Sequence, residues 1–396
     1  MSMLVFFPWL KMSGQGEIAN LRLMEYKRGE LPAGSGTPLQ QEIDSILEPY
    51  RAHGHRPIDS ATILVVGESG LTRDLAEEEI HAVFAFAELL AFAGLATRQF
   101  FSQDGYSNRD LFQVVVQRYS EAKGGAAFTY RRRDGSATNF VARDVLEIQR
   151  PGHIQSPIKA AVDIPLLNAL VQAQGELDQE LWNAYFEAIV NYGIANRDSP
   201  DLTLQTEVVL MVGAFERLFD LRGGRAHDLA QNFTAALQPA EEIPAEACAR
   251  FSDPETQAFL QKHHTVRNAW IRDFYALRNN LAHGMIAPGY RSRWSLKEHL
   301  LLASYIFPLV VKGKLCRDGL YTLTDRDQDD IDMIEQLACV ELFPQTSNDP
   351  IDKEAENIEF PWNEVRGRFL FERMFTRASS REREKMTGTE RDSKVD

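Results

Sequence analysis

The strongest constraint in this 396-residue sequence is a change in the period of its apolar residues near residue 160. Before that point, short β-branched and aromatic runs surround one long segment with helical spacing. After it, apolar residues recur at steps of three and four, which is typical of amphipathic helices. We therefore predict an α+β protein, in which a mixed α/β N-terminal domain is followed by an all-α helical bundle.

The first part of the chain has the composition of a sheet that packs on a helix. We predict strands at Met3–Phe7, Ile18–Met24, Ala61–Val66 and Phe112–Tyr119, and a helix at Leu75–Leu95. Two further strands, Ala126–Arg132 and Ala137–Ala142, flank Asp134-Gly135, a dipeptide that strongly favours a hairpin turn.

The second part has caps and breakers at helical intervals. Helices are predicted after Asp178, over Leu204–Leu218, after Asp253-Pro254, over Leu296–Val311 behind the cap Ser295, over Asp327–Leu337 and over Phe360–Phe375. The predicted domains are residues 1–155 and 160–345, with a helical extension over 346–375. Residues 376–396 are charged and nearly free of apolar side chains, and we expect a disordered tail there.

Composition narrows the class of protein. A net charge of −14 argues against a general nucleic-acid-coating surface, although a local basic site is still allowed. The three cysteines, Cys248, Cys316 and Cys339, are far apart and in no metal-ligand spacing, which fits a reducing compartment. No stretch predicts a signal peptide or a membrane span. We expect a cytoplasmic protein with no membrane partner, no metal and no cofactor.

The segment Asp273–Gly284, DFYALRNNLAHG, contains the most informative motif. Asn279 and His283 are four residues apart on a strongly periodic helix, so they share one face, and the long stem of Arg278 can reach the same edge. Gly284 predicts that the helix stops directly after His283, where the helix dipole favours an imidazolium. The same spacing recurs at Arg222–His227, but glycines there leave its geometry loose.

Basic residues surround the motif, in contrast to the acidic chain. Residues 261–297 have seven basic side chains against the single acidic residue Asp273, a local charge of +6. We predict that RNA or another polyanion contacts five of them, namely Arg267, Arg272, Arg291, Arg293 and Lys297. Glu216 interrupts an apolar helical run and could pair with Arg278 or orient His283. The same residues are equally compatible with a helix end that has no catalytic role. In that alternative the basic side chains form a solvated rim and Glu216 faces solvent.

The pair of AFERLF in one helix and LRNNLAHG at the end of a later one resembles the HEPN superfamily, and within it the ApeA-like proteins of bacterial defence. The resemblance covers about residues 160–340. It implies a bundle of four or five helices that acts, as a homodimer, as a metal-independent ribonuclease on tRNA or other single-stranded loops. The signature positions are Arg278, Asn279 and His283, with Glu216, or alternatively Glu207, as the acidic partner. The N-terminal domain would sense a phage-derived trigger or restrain the nuclease.

The resemblance and the residue chemistry suggest the same roles. His283 would transfer protons, Arg278 would stabilise the phosphorane and Asn279 would hold a phosphate or the ribose, giving a 2′,3′-cyclic phosphate. Two alternatives stay open: a non-catalytic HEPN module for dimerisation or RNA binding, and an unrelated helical regulator whose motif match is accidental.

Overall fold

A computed structural model describes most of the chain. The described residues are 3–12, 16–18, 21–30, 37–67, 71, 74–102, 104–120, 125–131, 137–142, 147–155, 160–221, 225–238, 248, 250–282, 290–343 and 360–392. They form an α+β protein, as predicted. The chain divides into two compact units, Met1–Asp220 (unit 1) and Leu221–Asp396 (unit 2).

Unit 1 is built on an antiparallel sheet. Its strands are β1 (Met3–Phe7), β2 (Gly16–Ile18), β3 (Leu21–Lys27), β5 (Ser60–Val66), β6 (Val115–Ser120), β7 (Gly125–Arg131) and β8 (Ala137–Ala142), in the spatial order β2-β3-β5-β1-β6-β7-β8. The short strands β4 (Tyr50–Arg51) and β9 (Ile148–Gln149) pair in parallel. Every residue of β1 and β5 is buried, so both faces of the sheet centre are covered.

The strand predictions are confirmed with small shifts. The predicted strand Ile18–Met24 overlaps both β2 and β3, which form an antiparallel pair, so the sequence run is two strands and not one. Strands β7 and β8 pair as the predicted hairpin, with Phe128 opposite Phe140. The predicted turn residues Asp134 and Gly135 lie outside the described residues.

Five α-helices are described in unit 1, and side chains cap the N-termini of the last three. They are α1 (Thr37–Leu47), α2 (Glu77–Leu95), α3 (Ile164–Glu176), α4 (Gln179–Ala195) and α5 (Leu204–Leu218). The Asp178 carboxylate accepts a hydrogen bond of 2.9 Å from the backbone N–H of Leu181, which starts α4 where the sequence predicts it. Thr203 accepts in the same way from Thr206 at the start of α5.

The division between the units differs from the predicted boundary at residues 155–160. Helices α3, α4 and α5 belong to unit 1, because the apolar face of α2 packs on α4. The rings of Phe92 and Tyr192 lie 5.4 Å apart, edge to face, and Arg98 Nη2 donates to Asn196 Oδ1 at 2.5 Å. The change of apolar period near residue 160 therefore marks a change of element type and not of compact unit.

The described elements of unit 2 are helices. They are α6 (Ala226–Ala236), α7 (Pro254–His263), α8 (Val266–Ala282), α9 (Leu296–Arg317), α10 (Asp325–Ala338) and α11 (Pro361–Asp392). Ser295 and Glu298 form the capping box that starts α9, as predicted from Ser295. Of the described helices, only α9 is long and apolar enough to cross a bilayer, and most of it is buried inside the protein, as in the core helix of a soluble protein.

The predicted disordered tail at 376–396 is wrong for most of its length, because α11 continues to Asp392. Arg, Glu and Lys, which dominate this segment, have high helix propensity even where no apolar face requires burial. The start of this segment and the turn before it are tied to α10, since Arg373 pairs with Asp332 and Arg377 Nη2 lies 2.9 Å from Asp329 Oδ1. A helix that is anchored in this way can propagate into polar sequence.

Candidate active site at the end of helix α8

Helix α8 positions the predicted motif. Val266, Trp270 and Phe274 are buried on one side of the helix and fix its rotation in unit 2. Arg278 and Asn279 are half-buried in the last turn, where Arg278 Nη1 donates to Asn279 Oδ1 at 2.9 Å. The guanidinium of Arg278 lies 5.9 Å from the ring centre of Tyr275. The structure therefore brings the first two motif residues together as one polar group.

The third motif residue, His283, lies outside the described residues, as do Gly284 and Pro288. In sequence, His283 follows Ala282, the last residue of α8, at the point where the sequence predicts a helix stop. Its position relative to Arg278 stays a prediction.

A buried polar cluster centres on Asp273, in the middle of α8. Asp273 Oδ2 accepts hydrogen bonds from Ser292 Oγ at 2.8 Å, from the Arg293 backbone N–H at 2.9 Å and from His299 Nε2 at 3.2 Å. The backbone carbonyl of Asp273 accepts a bond of 3.3 Å from the Tyr290 hydroxyl. Asp273 therefore ties the start of α9, and the residues that lead into it, to the helix of the motif. In the sequence alone, Asp273 is recognisable only as the single negative charge of the basic segment.

Burial acts to raise the pKa of Asp273, but the hydrogen bonds from His299, the Arg293 backbone and Ser292 outweigh it and hold the pKa below its ordinary value. A carboxyl whose pKa is lower in the folded state than in the unfolded state, where it is near 4, stabilises the fold at higher pH. This stability is lost as the pH falls through the folded-state pKa.

We expect Asp273→Asn to lower the free energy of unfolding by about 2 kcal/mol at pH 7 and by less at pH 3. Urea unfolding at both pH values measures this difference. Glu341→Gln, at an exposed position, is the control, and an equal loss for Asp273→Asn at pH 7 and pH 3 would contradict the linkage.

The predicted RNA contacts differ in burial and in their partners. Arg267 is wrong as an RNA contact: it is 0% exposed and pairs with the equally buried Glu335 of α10, because its position in the first turn of α8 faces the core. Arg293 is half-buried, and Asp273 Oδ1 lies 3.3 Å from its Nη1. Arg291 and Lys297 are exposed and stay predictions as RNA contacts.

Arg272, the fifth predicted contact, is half-buried and lies in a group of basic side chains that we name the cationic cluster. Its members are His227 on α6, Lys262, His263 and His264 at the end of α7, and Arg272 on α8. Arg272 Nη2 lies 3.1 Å from His227 Nδ1, and Arg272 Nε donates to Asn268 Oδ1 at 2.8 Å. The sequence motif did not include the three histidines, because two separate helices bring them to α8.

The two acidic candidates lie on α5, in unit 1. Glu216 is half-buried in its last turn, and Glu207 lies in its first turn. Burial and the neighbouring Asp198 raise the pKa of Glu207 to about 7, so this carboxyl is partly protonated at neutral pH. Arg278 belongs to unit 2, and the predicted pairing of Glu216 or Glu207 with it therefore stays a prediction.

No protein-family model, curated protein or solved structure matches this chain. A functional proposal depends on the residues of the chain itself.

Proposed function

We propose that the protein is a metal-independent endoribonuclease of the cytoplasm that cuts tRNA or other single-stranded RNA loops in defence against phage. The observation that supports this proposal most directly is the pair of Arg278 and Asn279, held together by a hydrogen bond in the last turn of α8, directly before His283 in the chain. Together the three residues supply a cation, a neutral polar group and a proton carrier within six positions.

RNA carries its own nucleophile, the ribose 2′-hydroxyl, so the protein needs only to move protons and stabilise charge. In this proposal His283 transfers a proton at the attacking or leaving oxygen. The planar guanidinium of Arg278 binds two equatorial oxygens of the phosphorane, where negative charge develops. Asn279, which accepts from Arg278, both orients the guanidinium and donates its amide N–H groups to a phosphate or ribose. No step requires a metal or a cofactor.

The proposal is tested by incubating total tRNA with the purified protein in excess EDTA and mapping the cut ends. We expect cleavage that leaves 2′,3′-cyclic phosphate and 5′-hydroxyl ends. The matched control is the double variant Arg278→Ala/His283→Ala, purified in parallel, because a contaminating nuclease would accompany both proteins. Cleavage that needs a divalent ion, or that is equal in both proteins, would contradict the proposal. Binding without cleavage, even after a lysate of phage-infected cells is added as a source of the trigger, would favour the non-catalytic module.

Cleavage needs both a general acid and a general base, but each motif contains only one histidine. A homodimer would supply His283 twice, once for each role. We therefore expect a dimer by light scattering, with specific activity that falls when dilution drives the protein to monomer. A monomer that is fully active would contradict the shared site, while leaving the ribonuclease proposal in place.

A further inference from the structure

We propose that the cationic cluster is a phosphate subsite for RNA, two helical turns before the motif, in which Arg272, His227, Lys262 and His263 bind a backbone phosphate of the strand whose cleavage the motif performs. This inference rests on the proposed ribonuclease function and extends it from the reacting phosphate to the path of the bound strand.

The register of α8 aligns the cluster with the motif. Arg272 and Asn279 are seven residues apart on one uninterrupted helix. At 3.6 residues per turn and a rise of 1.5 Å per residue, seven positions return to the same face within about 20° and advance about 10 Å. That distance corresponds to about three nucleotides of a stacked strand at ~3.4 Å per nucleotide. A strand that lies along this face therefore reaches both groups.

The electrostatic neighbours of Arg272 distinguish it from other arginines of unit 2. Arg267 is paired with Glu335, and Arg293 with Asp273 and, at 3.8 Å, with Glu255, so both already have carboxylate partners. Within the part of the chain that the structure describes, no carboxylate forms an ion pair with Arg272 or Lys262. The polar partners of Arg272 are the neutral amide of Asn268 and a histidine nitrogen. Its positive charge therefore stays available to an anion.

His263 lies in the cluster where burial and several positive charges act on it together. Burial, together with the charges of Arg272, Lys262, His264 and Arg293, lowers the pKa of His263 to about 4. These charges reach it from α7, from α8 and from the segment before α9. An anion in their midst would offset the repulsion and stabilise the protonated imidazole. Among the described residues, Arg272 and Lys262 form no ion pair with a carboxylate, and such cations are typical of an anion-binding surface.

An aromatic ring supports the arrangement of the cluster. The ring of Phe259 on α7 lies 4.6 Å from the ring of His263, and the guanidinium of Arg293 lies 4.2 Å from the ring centre of Phe259. Arg293 also donates to the buried Asp273, so the edge-to-face ring pair and the cation–π contact connect the cluster to the polar core of unit 2. His263 is therefore held in place before any ligand binds, which lowers the entropy cost of binding.

The first test measures binding without chemistry. The full-length His283→Ala protein is titrated into a fluorescent 12-nucleotide single-stranded RNA, followed by anisotropy, between 50 and 200 mM salt. We expect Lys262→Gln and Arg272→Gln, each added to this background, to weaken binding several-fold and to reduce the slope of log Kd against log salt by about 0.7 for each lost contact. Arg326→Gln, at an exposed arginine of α10, is the matched control and should change neither quantity.

The outcomes separate the subsite from the proposed function. If the RNA binds and both cluster variants match the control, the subsite is wrong, although the motif can still cleave. If pyrophosphate displaces the RNA at equal phosphate concentration, the ligand is a free phosphate compound and not an RNA strand. If no RNA binds at 50 mM salt, the subsite is wrong as well. The EDTA cleavage assay then decides the nuclease proposal independently.

A second measurement uses substrate length in an otherwise wild-type protein. A 12-nucleotide substrate spans both groups, whereas a dinucleotide reaches only the motif. We expect Lys262→Gln to raise KM for the long substrate while leaving kcat unchanged, and to leave both constants unchanged for the dinucleotide. Lys262 is exposed, so loss of folding does not explain such a pattern. An equal effect on both substrates would contradict a separate subsite.

Discussion

His283→Ala is expected to slow cleavage of tRNA by about 10²- to 10⁴-fold, the range that a single general acid or base supplies. The reason is that the 5′-oxygen leaves as a high-energy alkoxide unless a proton reaches it, and the 2′-hydroxyl attacks slowly unless its proton is removed. Single-turnover cleavage of a short RNA, with enzyme in excess, measures this loss without a contribution from product release.

The same variant can be used to assign the role of His283. A substrate with sulfur in place of the 5′-bridging oxygen has a good leaving group that needs no proton. If His283 is the general acid, this substrate restores the rate of His283→Ala close to that of the wild type. If His283 is the base, the deficit persists. Arg278→Ala is the matched control: it should lose about 10²- to 10³-fold with either substrate, because the phosphorane charge is the same in both. A His283→Ala protein that cleaves the normal substrate at the wild-type rate would contradict the role of His283 in proton transfer.

Arg267→Ala is expected to lower the free energy of unfolding by about 3–5 kcal/mol, the cost of leaving a buried charge unpaired. Arg267 and Glu335 are both 0% exposed, and Arg267 Nε donates to Glu335 Oε1 between α8 and α10. When the guanidinium is removed, the Glu335 carboxylate stays buried away from water without its positive charge. Urea unfolding, followed by circular dichroism, measures the change.

A double variant separates charge pairing from simple packing. Arg267→Met/Glu335→Leu replaces both charges with apolar groups and should be near neutral, or more stable than the wild type by about 1–4 kcal/mol. Arg326→Ala, which removes an exposed arginine 3.8 Å from Asp330, should change the stability by less than about 1 kcal/mol. A double variant as unstable as Arg267→Ala would contradict the view that the unpaired carboxylate causes the loss. RNA binding should be unaffected in the double variant, because Arg267 does not reach the surface.

Local signals in the sequence predicted the elements well. Asp178 and Ser295 were identified as caps from their side-chain chemistry, and both begin helices in the structure. The β-branched run at Ala61–Val66 is contained in β5, since such residues pack well on a pleated sheet. These signals are short-range, so one sequence is enough to identify them.

Contacts between elements that are distant in the chain could not be predicted from the sequence. Counting charges could not show that Arg267 points into the core while Arg272 lies near the surface, because rotation about α8 is fixed by partners on α6 and α10. The same limit applies to the unit boundary, which depends on the packing of Phe92 against Tyr192. Helix α11 was missed beyond residue 375 for a different reason: anchoring by Arg373 and Arg377 extends a helix into sequence with no apolar period.

The position of β1 in the sheet has a consequence for how unit 1 folds. This strand comes first along the chain, yet it lies between β5 and β6, whose partner residues follow it by more than fifty and more than a hundred positions. Both edges of β1 are therefore paired only after long loops have closed, and contacts between residues distant in the chain slow folding. In unit 2, α7 packs on α8 and α9 on α10, and each pair is consecutive in the chain, so the loops within these two pairs are short. We expect helix α8, which carries Arg278 and Asn279, to fold in milliseconds or less, well before the sheet of unit 1 is complete.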